Sequence, residues 1–265
     1  MIVLGVALSL VLLAVVLVVH YSIRAAAGSS ALRVTAPLSS TPPAPTVAPS
    51  PQPTTKPVPT ADNPLLALSL KTKYPQSGPD TFRYATTTGP VLGTSGPIRR
   101  FGVAIESNIK IENIDAFVAK IDATLGDQRS WVGGHQYRLQ QVPQSTSHQF
   151  TIYLTTPATT NRLCAPLPSD GYTSCRQGSK VVLNLARWMT SVPYYTKASV
   201  ALDTYRSYMI NHETGHALGH GHELCPGNGK LAPVMEQQTL GLHGCEPNAW
   251  VYVHGKKISG PPGQY

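Results

Sequence analysis

The chain has 265 residues and a formal net charge of +8, from 21 Lys and Arg against 13 Asp and Glu. The sequence contains no arginine-rich helix and no interleaving of aromatic and basic residues, so no nucleic-acid partner is expected. A basic surface suits anionic lipids or a polyanionic cell wall. A solvated surface without any electrostatic partner explains the charge equally well.

An unbroken apolar run over residues 2–19 opens the chain. At a helical rise of about 1.5 Å per residue this run nearly crosses a hydrocarbon layer of ~30 Å, which predicts a transmembrane anchor. Small residues at 25–27 resemble a cleavage site and favour a signal peptide instead. Residues 1–24 are therefore expected to be an anchor or a signal peptide. The protein then lies at the extracytoplasmic face of the cell membrane, or is secreted if Ala27 marks a cleavage site.

Proline dominates the next segment, because residues 36–64 hold ten of the chain's 24 prolines, mixed with Thr, Ser and Ala. Prolines keep the backbone extended, and this composition cannot bury a core. We therefore expect a disordered Pro/Thr-rich stalk over residues 25–64. The remaining residues, 65–265, are ample for one domain with a single core.

Within that domain the hydrophobic patterns predict a mixture of strands and helices, which is an α+β fold. Apolar residues at helical spacing predict a helix over residues 114–125, and a second helix is predicted over 202–218. Alternation, or a short apolar run, predicts strands; their ranges are 81–87, 99–106, 136–142, 150–155 and 181–186.

The segment 212–222 matches the pattern H-E-x-x-H-x-x-G-x-x-H. On a helix, His212 and His216 lie one turn apart, so both imidazoles can bind one ion. Gly219 can adopt the backbone angles that end a helix, and the chain can then return His222 as the third ligand. Three protein ligands leave the fourth position for water, which indicates a catalytic Zn²⁺ site. Glu213 is not itself a ligand, and its position suits a general base.

One competing ligand lies inside this pattern. His220 follows His216 by four residues and would compete if the helix continued, but Gly219 and Gly221 on either side disfavour that. The alternative for the whole segment is a solvated, His-rich helix end that buffers metal loosely. Such a buffer needs neither Glu213 nor Gly219 at these positions.

The chain reads Pro-Val-Met-Glu over residues 233–236, so that Met235 follows the third histidine by thirteen residues. With this segment the sequence resembles the metzincin clan of zinc endopeptidases, in which a methionine-bearing turn follows the long histidine pattern. The resemblance implies that Met235 lies beneath the imidazoles as an apolar base. It also implies a twisted, mostly parallel sheet with an active-site helix, a cleft under the lower edge strand and a small C-terminal subdomain. The region 158–179 is where that edge strand is expected.

The whole chain also resembles an actinobacterial family of membrane-anchored, metzincin-like extracytoplasmic proteins. Some features depart from better-known metzincin groups. Gln237 occupies the position at which astacin-like members carry a tyrosine ligand, so a tyrosine switch is not expected. No cysteine precedes Cys164, which argues against a cysteine switch. Glu223, directly after the third histidine, is expected to be a carboxylate near the site or on its rim.

The chain has four cysteines, at 164, 175, 225 and 245, and none shows C-x-x-C spacing. An even number beyond a membrane-targeting segment suggests disulfides. Of the three possible pairings we favour the two local ones, Cys164–Cys175 and Cys225–Cys245. Four buried free thiols are the alternative.

Together these patterns predict an extracytoplasmic zinc-dependent endopeptidase that acts on peptide or protein substrates. His212, His216 and His222 bind Zn²⁺, and Glu213 acts as the general base. Two alternatives remain open: a non-catalytic, zinc-containing binding module of the cell envelope, and a zinc hydrolase of cell-wall peptides. An intact Glu213 argues against the binding module.

Overall fold

A seven-stranded, mostly parallel sheet forms the centre of the part of the chain that the computed structural model describes, residues 74–265. Its strands are β1 (Phe82–Tyr84), β2 (Val91–Leu92), β3 (Ile98–Glu106), β4 (Arg138–Gln141), β5 (Phe150–Thr155), β6 (Cys175–Gln177) and β7 (Lys180–Asn184). A separate two-stranded hairpin of β8 (Tyr252–Val253) and β9 (Lys256–Lys257) follows near the C-terminal end.

The helices of this region are α1 (Ile114–Leu125), α2 (Pro157–Cys164), α3 (Leu185–Thr190), α4 (Pro193–Lys197) and α5 (Leu202–Ala217), with a 3₁₀ turn at Trp131–Gly134. Local signals set several of their ends. The side chain of Asn113 accepts a hydrogen bond from the backbone of Asp115 and caps α1. Proline occupies the first turn of both α2 and α4, where its missing N–H costs nothing.

The strand order is β2-β4-β3-β5-β7-β6, and the four inner strands, β4, β3, β5 and β7, run parallel to one another. The edge strands β2 and β6 run antiparallel to β4 and β7. Strand β1 pairs antiparallel with the end of β3, from Tyr84 opposite Ala104 to Phe82 opposite Glu106. Parallel neighbours need crossover connections, and helices α1 and α2 lie within two of them.

Side chains alternate between the two faces of the sheet. Val181 and Leu183 belong to the main core, which also contains α1 and α5, whereas Val182 packs with Cys164 and Cys175 in a small separate cluster. Because successive strand residues point to opposite faces, these two clusters lie on opposite sides of the sheet. Helix α5 therefore lies on the main-core side.

Both predicted disulfides are present, Cys164–Cys175 and Cys225–Cys245, and no free cysteine remains. The local pairing is confirmed, and the alternative of free thiols is wrong. Disulfides persist in oxidising compartments, so these two indicate an extracytoplasmic location.

The predicted α+β class with a mostly parallel sheet is confirmed. No helix within residues 74–265 combines the length and the apolar composition that crossing a bilayer requires. The predicted anchor or signal peptide over residues 1–24, the stalk over 25–64 and the start of the domain at residue 65 all lie outside the described residues.

Candidate metal centre

Helix α5 carries the first half of the histidine pattern in the interior of the domain. His212 and Glu213 are buried, and His216, one turn further on, is partly buried. The helix ends at Ala217, and Gly219 has a φ of +96°, a conformation that favours glycine. The chain reverses there, as the sequence predicts, and brings His222 back to the other two histidines.

Each of the three imidazoles is oriented through its Nδ1 atom. The Nδ1–H of His212 donates to the carbonyl of Val234 at 2.8 Å. That of His216 donates to the carbonyl of His220 at 2.9 Å. That of His222 donates to the side-chain oxygen of Gln264 at 3.1 Å. An oxygen acceptor at Nδ1 fixes the tautomer in which Nε2 has a free lone pair, so all three Nε2 atoms are available as ligands.

The free nitrogens converge. The ligand nitrogens of His212, His216 and His222 all lie within 4.8 Å of one another. The Nε2 atoms of His216 and His222 are 3.1 Å apart, too close for two unshared lone pairs to be favourable without something between them. Two nitrogens on a tetrahedral zinc with bonds of 2.0–2.1 Å are about 3.3 Å apart, so the spacing of this pair is close to what a zinc ion requires.

The site holds its imidazoles neutral, which is the form that binds metal. Burial lowers the pKa of His212 well below its usual range, and the neighbouring His216 and His222 lower it further. Burial lowers the pKa of His216 to about 4 and also lowers that of His222. At neutral pH all three side chains therefore offer lone pairs without first losing a proton.

Glu213 lies beside this cluster as a buried carboxyl group that is not one of the converging ligands. It is 5% exposed, and its Oε2 has no hydrogen-bond partner among the described residues. Burial raises its pKa to about 8. A group held this close to neutrality can accept and release a proton, as general acid–base catalysis requires.

Met235 packs beneath the helix rather than binding at the site. A Cβ on Gly215 would lie 2.5 Å from its sulfur atom and 2.5 Å from the Trp131 ring, so the missing side chain lets both approach α5. The Trp131 indole also stacks on His220, with ring centroids 4.2 Å apart. The His220 ring thus packs on Trp131 and is not among the converging ligands, while the backbone carbonyl of His220 orients His216.

Three tyrosines, which the sequence analysis did not single out, hold the methionine-bearing segment against the domain. The hydroxyl of Tyr208 donates to the carbonyl of Glu236 and accepts from the amide of Gln238, both at 2.9 Å. Tyr195 and Tyr205 make hydrogen bonds to Gln238 and Thr239. Of the three, Tyr205 and Tyr208 had a signal in the sequence, because they lie two turns and one turn before His212 on the same helix.

A second group near the site, formed by Cys225, Cys245 and Glu236, brings possible ligand atoms within 4.8 Å of one another. Both sulfur atoms are joined in a disulfide, and a metal binds the thiolate form of cysteine. The described residues therefore offer one usable metal site, made of the three histidines.

Glu223 and Gln237 have no part in the ligand set. Glu223 is partly buried at the rim, and its Oε2 accepts a hydrogen bond from the amide of Gly260 at 3.2 Å. Gln237 is partly buried next to Glu236. The sequence-based expectation that Glu223 is a carboxylate near the site agrees with this position.

Comparison with known proteins places the chain in a family without naming its chemistry. No curated protein and no solved structure matches it. One family model does match, described as "Protein of unknown function (DUF3152)", over residues 69–252. The match includes the helix α5, the three histidines and Met235 and spans well over half of the chain. The chain therefore belongs to the DUF3152 family.

Proposed function

We propose that this protein is an extracytoplasmic, zinc-dependent endopeptidase of the metzincin type. One observation carries the proposal: three Nε2 atoms converge beside a buried carboxyl group, Glu213, that is not needed to hold an ion. A structural zinc site takes four protein ligands, whereas three leave a position open, as catalytic sites do. A site that only bound metal would have no use for a buried, unpartnered carboxyl group at this place.

The arrangement around the site supports the metzincin type. Strand β6 is an antiparallel edge strand at residues 175–177, inside the region where the resemblance predicts the strand above the cleft. This strand contacts helix α5, so it lies beside the element that carries His212 and His216. The sulfur of Met235 lies against Gly215 of helix α5, which supports the role of an apolar base that the resemblance implies.

The chemistry follows from the residues. When bound, zinc supplies Lewis acidity toward a peptide carbonyl and lowers the pKa of water toward ~7. Glu213 takes the proton of the attacking water and passes it to the leaving amine. Because Glu213 is buried, bulk water is excluded around it, and the carboxylate interacts more strongly with the transferred proton than it would in water.

The test compares wild type with Glu213→Gln on a proteome-derived peptide library, with and without a chelator. We expect wild type to cleave peptides in a chelator-sensitive way. Glu213→Gln should keep its zinc and lose turnover by several orders of magnitude, because the base is removed and the ligands remain. Glu246→Gln, at an exposed position, is the matched control and should cleave like wild type.

Equal cleavage by wild type and Glu213→Gln would refute the general-base role. A wild-type protein that holds one zinc but cleaves neither library peptides nor cell-wall peptides would favour the non-catalytic envelope module. Cleavage of wall peptides alone would favour the wall hydrolase.

A further inference from the structure

The last residues of the chain lie along the loop that carries the third histidine. We name residues 258–265 the C-terminal strap; it follows the β8–β9 hairpin. The amide of Leu224 donates to the carbonyl of Pro261 at 2.8 Å, and the amide of Gly263 donates to the carbonyl of His222 at 3.1 Å. The strap therefore holds the backbone on both sides of Glu223.

Two further contacts fasten the strap. A Cβ at Gly260 would overlap the carbonyl oxygen of Leu224, so glycine is required for the two backbones to come this close. At the other end, the hydroxyl of Tyr265 accepts a hydrogen bond from the amide of Cys225 at 3.1 Å, and its ring stacks on His243. The strap is thus attached along its length.

Between these attachments, Gln264 reaches the third histidine itself. Its Oε1 accepts the Nδ1–H of His222 at 3.1 Å. The corresponding acceptors for His212 and His216 are backbone carbonyls, fixed by the chain around them. His222 alone among the three depends on a side chain for its orientation, and that side chain comes from the strap.

We propose that Gln264 is a positioning residue for His222, and that the C-terminal strap thereby completes the metal site. The proposal rests on the proposed function in one respect, namely that the three histidines hold zinc. Without an acceptor at Nδ1, the His222 ring is free to rotate and to move its proton to Nε2, the atom that the metal needs.

The strap supports the site without closing it. An open cavity of about 230 Å³ lies beside it, lined by His222, Gly263 and Gln264. The space next to the third histidine therefore stays accessible to a substrate, which argues for a positioning role rather than a plug. The strap also lies beyond residue 252, where the match to the family model ends.

The test measures zinc affinity of the full chain by competition with a chromophoric chelator, and the visible spectrum of the Co²⁺-substituted protein. Gln264→Met keeps the side-chain length and removes the acceptor, and we expect about tenfold weaker zinc binding and an altered Co²⁺ spectrum. Gln264→Glu keeps an oxygen acceptor and should restore both. Gln128→Met, at an exposed glutamine, is the control for the substitution itself and should match wild type.

Two results would overturn the proposal, and they differ. If wild type binds zinc and Gln264→Met binds it equally well with the same Co²⁺ spectrum, Gln264 has no positioning role while the metal site stands. If wild type retains no zinc, the proposed function fails together with this inference. A Gln264→Met protein that melts with wild type in the metal-free state yet binds zinc more weakly separates positioning from folding.

Discussion

Glu236, the residue after Met235, is a buried carboxyl group without a partner. It is 0% exposed, and neither of its oxygens has a hydrogen-bond partner among the described residues. Burial raises its pKa from 4.5 to about 7. A carboxylate that loses its water without gaining a donor destabilises the fold when it is charged. Next to Met235 the protein therefore carries a carboxyl group that favours the folded state when it is protonated.

This predicts a pH-dependent benefit from Glu236→Gln. Between pH 4.5 and 7 the folded state binds more protons at this residue than the unfolded state, so its contribution to stability falls as pH rises through that window. Relative to wild type, Glu236→Gln should therefore gain about 3 kcal/mol on going from pH 5 to pH 8. Urea denaturation of both proteins, metal-free at each pH, measures the difference.

Glu246→Gln is the control, since this glutamate is exposed and should show no such gain. The comparison between variant and wild type removes the contribution of the histidines, because both proteins share them. Parallel stability curves for wild type and Glu236→Gln across this range would mean that Glu236 finds a partner in solution.

Single residues of the site were predictable wherever spacing along one helix decides their position. His212, Glu213 and His216 share a helix, and Gly219 lies where the helix must end, so the sequence indicates their geometry. Gln264 was not predictable, because it contacts His222 across 42 residues of chain. No periodic pattern records a contact between two irregular segments, and it requires the folded backbone.

Helix α5 is buried on almost every side, and several of its buried residues are polar. A continuous stretch from Ser207 to Gly215 is buried, and it includes Asn211, His212, Glu213 and Thr214. The side-chain amide of Asn211 donates to the carbonyl of Ala249. Its side-chain oxygen accepts from the hydroxyl of Ser130, and its backbone carbonyl accepts from the indole N–H of Trp131. Buried polar groups that are mostly paired in this way fix the helix in one position.

We therefore predict that Gly215→Ala destabilises the protein although alanine favours helix. The propensity gain is about 1 kcal/mol, whereas overpacking costs about 1–3 kcal/mol. The new Cβ would lie 2.5 Å from both Met235 and Trp131, so one of them must move. We expect a lower melting temperature, measured by circular dichroism. An unchanged or higher melting temperature would show that Met235 and Trp131 repack freely around the new methyl group.

Gly221→Ala is the matched control for that prediction. It lies in the same histidine pattern, but a Cβ there has nothing within 4 Å, and its backbone is not in the left-handed region. Its melting temperature should stay close to that of wild type. Gly219→Ala would be a poor control, since the strain of its φ of +96° adds to any packing effect.

Elements were predictable in proportion to the strength of their own pattern. Helix α1 and strand β5 have the predicted bounds, because α1 repeats apolar residues at helical spacing over several turns and β5 shows strand alternation along its length. The strand predicted over 181–186 ends at Asn184 instead, since that side chain accepts from the amide of Ala186 and begins α3. Strand β6 has three residues and lacks a pattern of its own; its pairing with β7 defines it.

The two disulfides fasten different parts of the fold. Cys164–Cys175 joins the end of α2 to β6 in the small cluster with Val182. Cys225–Cys245 closes a loop that contains Met235 and starts three residues after His222. Both bonds limit the unfolded chain, but the second alone also fastens the loop of the third histidine.

This difference predicts separate effects on stability and on metal binding. Replacing either pair by serine should cost about 3 kcal/mol, because loops of 11 and 20 residues lose similar entropy on closure. Only Cys225→Ser/Cys245→Ser should also weaken zinc binding, since it frees the loop of His222 from one of its attachments. Chelator competition at a temperature where both variants are folded, with thermal melts alongside, measures the two effects.

Equal zinc affinity in both variants would show that the C-terminal strap alone is sufficient to hold the third ligand. A loss in the Cys164→Ser/Cys175→Ser protein would mean instead that the sheet transmits strain to the metal centre.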